Sequence, residues 1–381
     1  KEIMNMLKTL STVVPVCALS ALAFFPPSLR ADLPASPLAG EYTVTGSETI
    51  HGEWWNTYEV ASGGILNILG EYAQLQVNYA FNSAPTFSGT GTVNIGSDSD
   101  YGRMTVSSVS SFSEGWNDII SFGGAINVGS KGDFSISGTY PSHYGTIFYV
   151  GTLDVKGTVS VMSDTENNSS YFRISNLAMR EGGLFASAID LQSSDGGVYD
   201  IYGSGLSAPR LRVNSGTTTL NLRAQNVLEN LSTVDFDSNN ASTLKINAYM
   251  SNALDILTLR SNSTLELLIA EGQTFLVKSL RSREGEGENM SIIFRNYIDG
   301  SFMLGSSDPW IEDNRLYLPS TDTYVSLVAY DSAGGLLEGV WSLDWNGEAN
   351  VLHFAAIPEP AAFAAVLGAF ALAVCYRIRK H

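Results

Sequence analysis

A short acidic segment in the second half of the chain is a candidate calcium site. Asp235, Asp237 and Asn239 alternate in the way that supplies oxygen ligands at the first, third and fifth positions of a calcium loop. Asn240 stands where such a loop needs glycine, and Ile246 stands where it needs a bidentate glutamate. The loop is therefore incomplete, so we predict a polar turn and no metal site.

A cluster of aromatic residues is a second candidate for ligand binding. Trp54, Trp55 and Tyr58 lie close together in the sequence, and exposed rings of this kind stack on sugars. Adjacent residues on a strand point to opposite faces, so at least one of the two tryptophans should be less buried unless a cap covers it. A carbohydrate platform and packing in the core or a cap are both open, and packing is favoured.

Catalytic motifs are not visible in the sequence. No Gly-x-Ser-x-Gly elbow stands between a strand and a helix, and His51, His143 and His353 lie far apart without a second ligand at a familiar spacing. The chain has 38 acidic residues, so some carboxylate pairs will lie at a catalytic separation by chance. We predict no catalytic residues, no cofactor and no enzymatic activity.

Composition excludes several classes of protein. The 381 residues are 44% hydrophobic and include 17 Tyr, 17 Phe and 6 Trp, which is too apolar and aromatic for a disordered chain. The net charge of −17 argues against nucleic acid as a partner, because phosphate binding needs clustered Lys and Arg. The two cysteines, Cys17 and Cys375, lie near the ends. The body between them must therefore be stabilised by apolar burial without disulfides.

Short runs of alternating apolar and polar residues, each ending in Gly, Ser, Asn or Asp, fill the body of the chain. Period-two alternation over five or six residues predicts strands, so the body is predicted to be all-β. The apolar members predicted to point inward are Leu66, Ile68, Val93, Ile95, Ile126, Val128, Leu153, Val155, Leu220, Leu222, Leu244 and Ile246. The intervening residues predicted to point outward are Asn67, Asn94, Asn127, Asp154, Asn221 and Lys245.

The spacing of these runs separates two all-β architectures. They recur at intervals of about 20–35 residues, as the turns of a parallel β-helix do. A β-sandwich, the alternative, would show hairpin turns every 8–12 residues. We therefore predict a right-handed parallel β-solenoid over residues 41–280, preceded by a flexible lead-in over 32–40.

A different arrangement is expected after the solenoid. Residues 281–289 are rich in charge and glycine, which predicts a solvated loop and a domain boundary. Residues 290–356 are predicted to form a small antiparallel β cap. Asn346-Gly347 favours a hairpin there, because these residues adopt the positive φ angles of a tight turn.

Both ends of the chain have the composition of targeting segments. Residues 1–31 contain Lys1 and Lys8, an apolar stretch and then Ala31, which predicts a cleaved secretory signal and export through the Sec translocon. At the other end, residues 361–376 carry no charge and would form a helix of about 24 Å, slightly short of the hydrocarbon core of a membrane. The segments that flank this helix are Pro358, Glu359 and Pro360 before it and Arg377, Arg379 and Lys380 after it.

This three-part tail resembles the PEP-CTERM sorting signal of Gram-negative, exopolysaccharide-producing bacteria. The resemblance covers about 25 residues. It implies that an exosortase removes the tail, after a transient stay in the inner membrane, and passes the protein to the cell surface or matrix. The strand repeats of the body also resemble those of autotransporter-type passenger domains, which implies a similar β fold.

These observations lead to one preferred function and two alternatives. We predict an exported cell-surface or extracellular-matrix protein that acts as a scaffold or adhesin in an exopolysaccharide layer, as in a biofilm. Its acidity should keep it soluble among polysaccharides. The alternatives are a β-helix enzyme that degrades polysaccharide and a carbohydrate-binding module. Carboxylates and basic groups along one groove would favour the enzyme, and exposed coplanar aromatic rings would favour the binding module.

Overall fold

The structure is a computed structural model that describes residues 33–34, 36–51, 58–79, 87–108, 118–138, 147–163, 171–186, 189–192, 196–236, 241–283, 289–306 and 308–357. The predicted signal segment, 1–31, and the tail from Pro358 onward lie outside these residues. The described part of the chain is all-β, and it contains no helix long and apolar enough to cross a bilayer.

The described residues form 29 strands. In chain order these are β1 (Glu41–Val44), β2 (Ser47–His51), β3 (Tyr58–Val60), β4 (Ile65–Ile68), β5 (Gln74–Tyr79), β6 (Phe87–Gly89), β7 (Thr92–Ile95), β8 (Gly102–Ser108), β9 (Asp118–Val128), β10 (Gly132–Gly138), β11 (Ile147–Val155), β12 (Thr158–Ser163), β13 (Tyr171–Met179), β14 (Gly183–Ala186), β15 (Ile189–Gln192), β16 (Gly197–Ile201), β17 (Leu206–Leu222), β18 (Leu231–Phe236), β19 (Ser242–Ala248), β20 (Asn252–Leu259), β21 (Ser263–Ile269), β22 (Phe275–Ser282), β23 (Ser291–Arg295), β24 (Phe302–Leu304), β25 (Trp310–Glu312), β26 (Arg315–Leu318), β27 (Thr323–Ala329), β28 (Gly339–Trp345) and β29 (Asn350–Ala356).

Parallel pairing stacks 25 of these strands, all except β25, β26, β28 and β29, into the faces of a solenoid. Sheet I contains β1, β4, β7, the second parts of β9, β11 and β13, β16, the end of β17, β19, β21, β23 and β27. Sheet II contains β2, β5, β8, β10, β12, β14 and the start of β17. Sheet III contains β3, β6, the first parts of β9, β11 and β13, β15, the middle of β17, β18, β20, β22 and β24. The predicted β-solenoid is thus confirmed.

The core of the solenoid consists of columns of apolar side chains in register. One column in sheet I joins Leu66, Val93, Ile126, Leu153, Leu177, Tyr199, Leu220, Ile246, Leu267 and Phe294. Each of these side chains is at most 4% exposed. All twelve residues predicted to point inward are buried, because alternation places them on one face and the solenoid has a single interior.

The parallel stack is longer than the sequence predicts. Strand β23 pairs in parallel with β21 and β27, and β24 pairs in parallel with β22. The boundary predicted at residue 280 is therefore wrong. Arg281 and Ser282 still belong to β22, so the charged segment connects two turns instead of ending the solenoid. The charge and glycine content of the segment therefore does not mark the end of the stack, because the strands on either side of it keep their parallel partners.

The start of the solenoid also differs from the prediction. Leu38 is only 6% exposed and forms a parallel bridge with Val60. The last part of the predicted lead-in, 32–40, therefore belongs to the first turn.

Antiparallel strands close the C-terminal end of the solenoid. Strands β25, β26 and β27 form one antiparallel set, and β28 and β29 form the predicted hairpin, which is joined to the stack where β29 pairs with β24. The hairpin loop has the four residues 346–349 instead of a two-residue turn. The side-chain oxygen of Asn346 accepts hydrogen bonds from the amides of Glu348 and Ala349, both at 2.9 Å. The cap is therefore confirmed, although it begins later than residue 290.

Candidate functional site

Two adjoining depressions lie on either side of the corner where sheet I turns into sheet II. The corner is formed by the loops 69–73, 96–101 and 129–131 of three successive turns. We call the depression on sheet I the asparagine groove and the one on the sheet II side the corner cleft. Their volumes are about 390 and 460 Å³ respectively.

A ladder of asparagine side chains forms the floor of the asparagine groove. The Nδ2 atom of Asn127 donates to Oδ1 of Asn94 at 2.8 Å, and Asn94 donates to Oδ1 of Asn67 at 2.7 Å. Asn67 in turn donates to Oε1 of Glu41 at 2.8 Å. The ladder forms because parallel register places these residues at the same position on successive strands. Each amide carries two N–H donors and an oxygen with two lone pairs, so the ladder leaves capacity for further hydrogen bonds.

Of the six residues predicted to point outward, four are half-buried and two are buried. Asn94, Asn127, Asp154 and Lys245 are half-buried, and they alternate with core residues as expected. Two asparagines, Asn67 and Asn221, are only 6% and 7% exposed although they lie on the same outer face. Asn67 is covered by its neighbours in the ladder, and Asn221 is covered by Asp200, to which it donates at 3.0 Å, and by Asn247, which donates to it at 2.7 Å. Side chains in register are stacked about 4.8 Å apart.

Glycine keeps the asparagine groove open beside this ladder. Gly96 has a φ of +63°, which favours glycine. A Cβ atom on Gly129 would lie 2.6 Å from Cα of Ser97 and 2.7 Å from the carbonyl oxygen of Gly96. The wall beyond the glycines is charged: Lys156 lies 3.5 Å from Asp98, whose carboxylate also accepts a hydrogen bond from Ser130. That hydrogen bond and the Lys156 charge hold the pKa of Asp98 below its usual value.

We expect Asn94→Ala to destabilise the protein by about 1–2 kcal/mol. The substitution removes two hydrogen bonds and leaves the oxygen of Asn67 and the amide of Asn127 without their ladder partners. Equilibrium urea unfolding measures the effect. Thr92→Ala on the outer face of the same strand is the control and should change stability by less than about 0.5 kcal/mol. Equal effects of the two substitutions would show that the ladder contributes nothing.

The outer face of sheet I remains polar beyond the groove, where ion pairs replace part of the ladder. Nε of Arg180 lies 3.1 Å from both carboxylate oxygens of Asp154. Arg223 binds Asp200 at 3.1 Å, and its guanidinium lies 4.4 Å from the ring centre of Tyr249. These contacts join neighbouring turns along the solenoid axis.

The corner cleft combines exposed aromatic rings with charged and polar groups. Tyr72 and Tyr101 are 70% and 59% exposed. They are neighbours on successive turns, because Gln74 and Arg103, each two residues further along the chain, pair in register. The full lining is Ser47, Glu71, Tyr72, Ala73, Gln74, Tyr101, Gly102, Arg103, Lys131 and Asp133.

The charged groups of the corner cleft are held in fixed positions. Nε of Arg103 donates to the Asp133 carboxylate at 3.0 Å. The Lys131 ammonium donates to the backbone oxygen of Ser99 at 2.8 Å and lies 5.1 Å from the ring centre of Tyr101. A paired guanidinium and carboxylate present both donors and acceptors at one place. Together with two exposed rings, they form a surface suited to a polar ring-shaped ligand.

No family model, curated protein or solved structure matches this chain. The interpretation of the two depressions therefore depends on their geometry and chemistry.

The candidate aromatic cluster has one described residue, Tyr58, and it is buried. Tyr58 is 8% exposed, and its ring stacks on Phe87 with 6.1 Å between the ring centres. Burial, together with the nearby Glu48 carboxylate, raises the pKa of Tyr58 to about 12. Tyr58 is thus a core residue and offers no face to a sugar. Trp54 and Trp55 lie outside the described residues.

The first residue of the candidate calcium loop lies in a strand, so the predicted polar turn does not begin there. Asp235 lies within β18, is 6% exposed, and its carboxylate contacts the Arg210 guanidinium. An arginine at this position occupies the side where a cation would bind. Asp237 and Asn239 lie outside the described residues. Within the described ranges, no group of three or more His, Cys, Asp or Glu side chains is arranged to hold a metal ion.

The sorting residues lie entirely outside the described part of the chain. They are Pro358, Glu359, Pro360, Arg377, Arg379 and Lys380.

Sequence reasoning missed the tyrosines of the corner cleft. Both tyrosines lie in polar loops that follow an alternating run. Because loops run over the surface, this position indicates that the two rings are exposed. The two residues could be related to each other only through the register of β5 and β8.

Proposed function

We propose that this protein is an exported cell-surface or matrix protein, sorted by an exosortase, that acts as a β-solenoid scaffold or adhesin in an exopolysaccharide layer. The terminal segments support export and sorting. The chemistry of the outer faces supports a structural role among polysaccharides, because these faces carry amide ladders and ion pairs between turns.

The observation that carries the scaffold proposal is the uninterrupted parallel stack. Sheet I continues from β1 to β27, and each strand is hydrogen-bonded to the next. At roughly 4.8 Å per strand, the stack extends about 50 Å. Backbone hydrogen bonds that run along the axis make such a stack stiff, as a spacer requires.

A second function, carbohydrate binding, is favoured by the corner cleft alone. Tyr72 and Tyr101 are exposed aromatic rings that a sugar can contact, and the Arg103–Asp133 pair beside them offers a donor and an acceptor. In this proposal the site binds polysaccharide without cleaving it.

The sorting part of the proposal predicts a change of location. We expect the triple variant Pro358→Ala/Glu359→Ala/Pro360→Ala to remain in the membrane fraction, because the exosortase no longer recognises the tail. The unchanged protein should reach the surface or medium without residues Arg377–His381. Cell fractionation in a Gram-negative host that carries an exosortase, with intact-mass measurement of each fraction, tests this.

The control variant also loses a proline and a glutamate, but it leaves the motif intact. The variant Pro319→Ala/Glu348→Ala lies in loops of the cap and should be sorted normally. The same host without its exosortase should retain every form in the membrane. Surface protein that still carries Arg377–His381 would overturn the sorting proposal.

A further inference from the structure

We propose that the corner cleft is a binding site for an uncharged polysaccharide. This inference deepens the proposed function and rests on it. The cleft would be the place at which the scaffold attaches to the surrounding polysaccharide. The site is formed by β2, β5, β8 and β10 of sheet II and by the loops that precede the last three of them.

The aromatic part of the site consists of Tyr72 and Tyr101. They lie on neighbouring turns, each two residues before Gln74 and Arg103, which pair in register. Both rings are mostly exposed, so a ligand in solution can reach them. The Lys131 ammonium lies 5.1 Å from the centre of the Tyr101 ring. The two rings offer adjacent apolar surfaces on which the C–H faces of sugar rings stack.

The polar part of the site lies beside the rings, two residues further along the chain on the same turns. Gln74, Arg103 and Asp133 occupy one register position of β5, β8 and β10, and Ser47 holds the same position on β2. A row of hydroxyl, amide, guanidinium and carboxylate groups contains both donors and acceptors. This row runs parallel to the solenoid axis. A chain of sugars laid along the axis can therefore form hydrogen bonds through its hydroxyl groups at each turn.

The charges of the cleft and of the whole chain favour an uncharged polysaccharide over an anionic one. Glu71 and Asp133 balance Arg103 and Lys131, so the cleft carries no net charge. The whole chain has a net charge of −17, which repels polyanions. The Arg103 guanidinium is already paired with Asp133 at 3.0 Å, and the Lys131 ammonium donates to the backbone oxygen of Ser99 at 2.8 Å, so a sugar carboxylate would have to displace an existing partner from either cation. An uncharged glycan is therefore the matching ligand.

Affinity electrophoresis of the full chain in mild detergent tests the proposal. The gels contain hydroxyethyl cellulose, galactomannan or dextran as uncharged polymers, and alginate as an anionic polymer. We expect at least one uncharged polymer to retard the protein and alginate to have no effect. The double variant Tyr72→Ala/Tyr101→Ala should bind about tenfold more weakly, because both stacking surfaces are removed.

Tyr202→Ala is the matched control. Tyr202 is 44% exposed and follows a strand of sheet I several turns away from the cleft, so its loss should leave retardation unchanged. Circular dichroism and urea unfolding verify that every variant is folded. Because this experiment needs no export, it can fail while the sorting experiment succeeds, and the reverse also holds.

Four results would overturn the proposal. They are the absence of retardation by all three uncharged polymers, stronger retardation by alginate, equal binding by the double variant, and an equal loss of binding in Tyr202→Ala.

Discussion

Leu153→Asp is expected to destabilise the protein by about 4 kcal/mol or more. Leu153 is fully buried in β11, where it pairs with Ile126 on one side and Leu177 on the other. An aspartate at this position would place an unpaired carboxylate in a dry column of aliphatic side chains, and no basic group belongs to that column to neutralise it. The urea concentration at the midpoint of unfolding, followed by circular dichroism, measures the loss.

The neighbouring residue provides a control on the same strand. Thr152 is exposed on the outer face of β11, so Thr152→Asp introduces the same side chain with solvent available to it. We expect this change to alter stability by less than about 0.5 kcal/mol. A similar loss in both variants would mean that the two faces of β11 do not differ in burial, which contradicts a solenoid with a single interior.

The fold could be predicted from the sequence because one local signal repeats many times. Each alternating run, such as Leu66-Asn67-Ile68 or Leu220-Asn221-Leu222, shows which side chains point inward without knowledge of any partner strand. The same parity could have placed Tyr58 correctly. Tyr58 and Val60 lie on the same face of β3, and both are buried.

The end of the solenoid could not be predicted, because the composition of a loop does not determine how the strands on either side of it pair. The charged segment 281–289 has the composition of a linker between domains. In the structure it connects β22 to β23, and both strands continue the columns of the preceding turns. Whether a polar loop ends a stack depends on the pairing of the next strand, which is information that the loop itself does not contain.

The corner cleft was beyond sequence analysis for a related reason. Its lining residues extend from Ser47 to Asp133, and they are brought together only by the register between turns. Turn lengths vary: Asn67 and Asn94 are 27 residues apart, whereas Asn94 and Asn127 are 33 apart. Without a constant repeat, the sequence does not show which loop residues become neighbours.

Trp341→Ala is expected to cost about 3–5 kcal/mol, because it removes the central side chain of the cap. Trp341 is 3% exposed. Its ring centre lies 5.5 Å from that of Phe294, 5.2 Å from that of Tyr297 and 4.7 Å from that of Phe354. Phe294 also belongs to the core column of sheet I through its pairing with Leu267. The cavity left by the tryptophan would therefore loosen both the cap and the last turns of the stack.

The matched control for this change is another tryptophan on the same strand. Trp345 lies four residues further along β28 and is 53% exposed, so Trp345→Ala should cost less than about 1 kcal/mol. Urea unfolding of both variants, followed by circular dichroism, measures the loss. If Trp341→Ala produced a separate early transition of small amplitude and left the main midpoint unchanged, the cap would unfold independently. The coupling through Phe294 would then be wrong, because a column shared by cap and solenoid requires one transition that shifts as a whole.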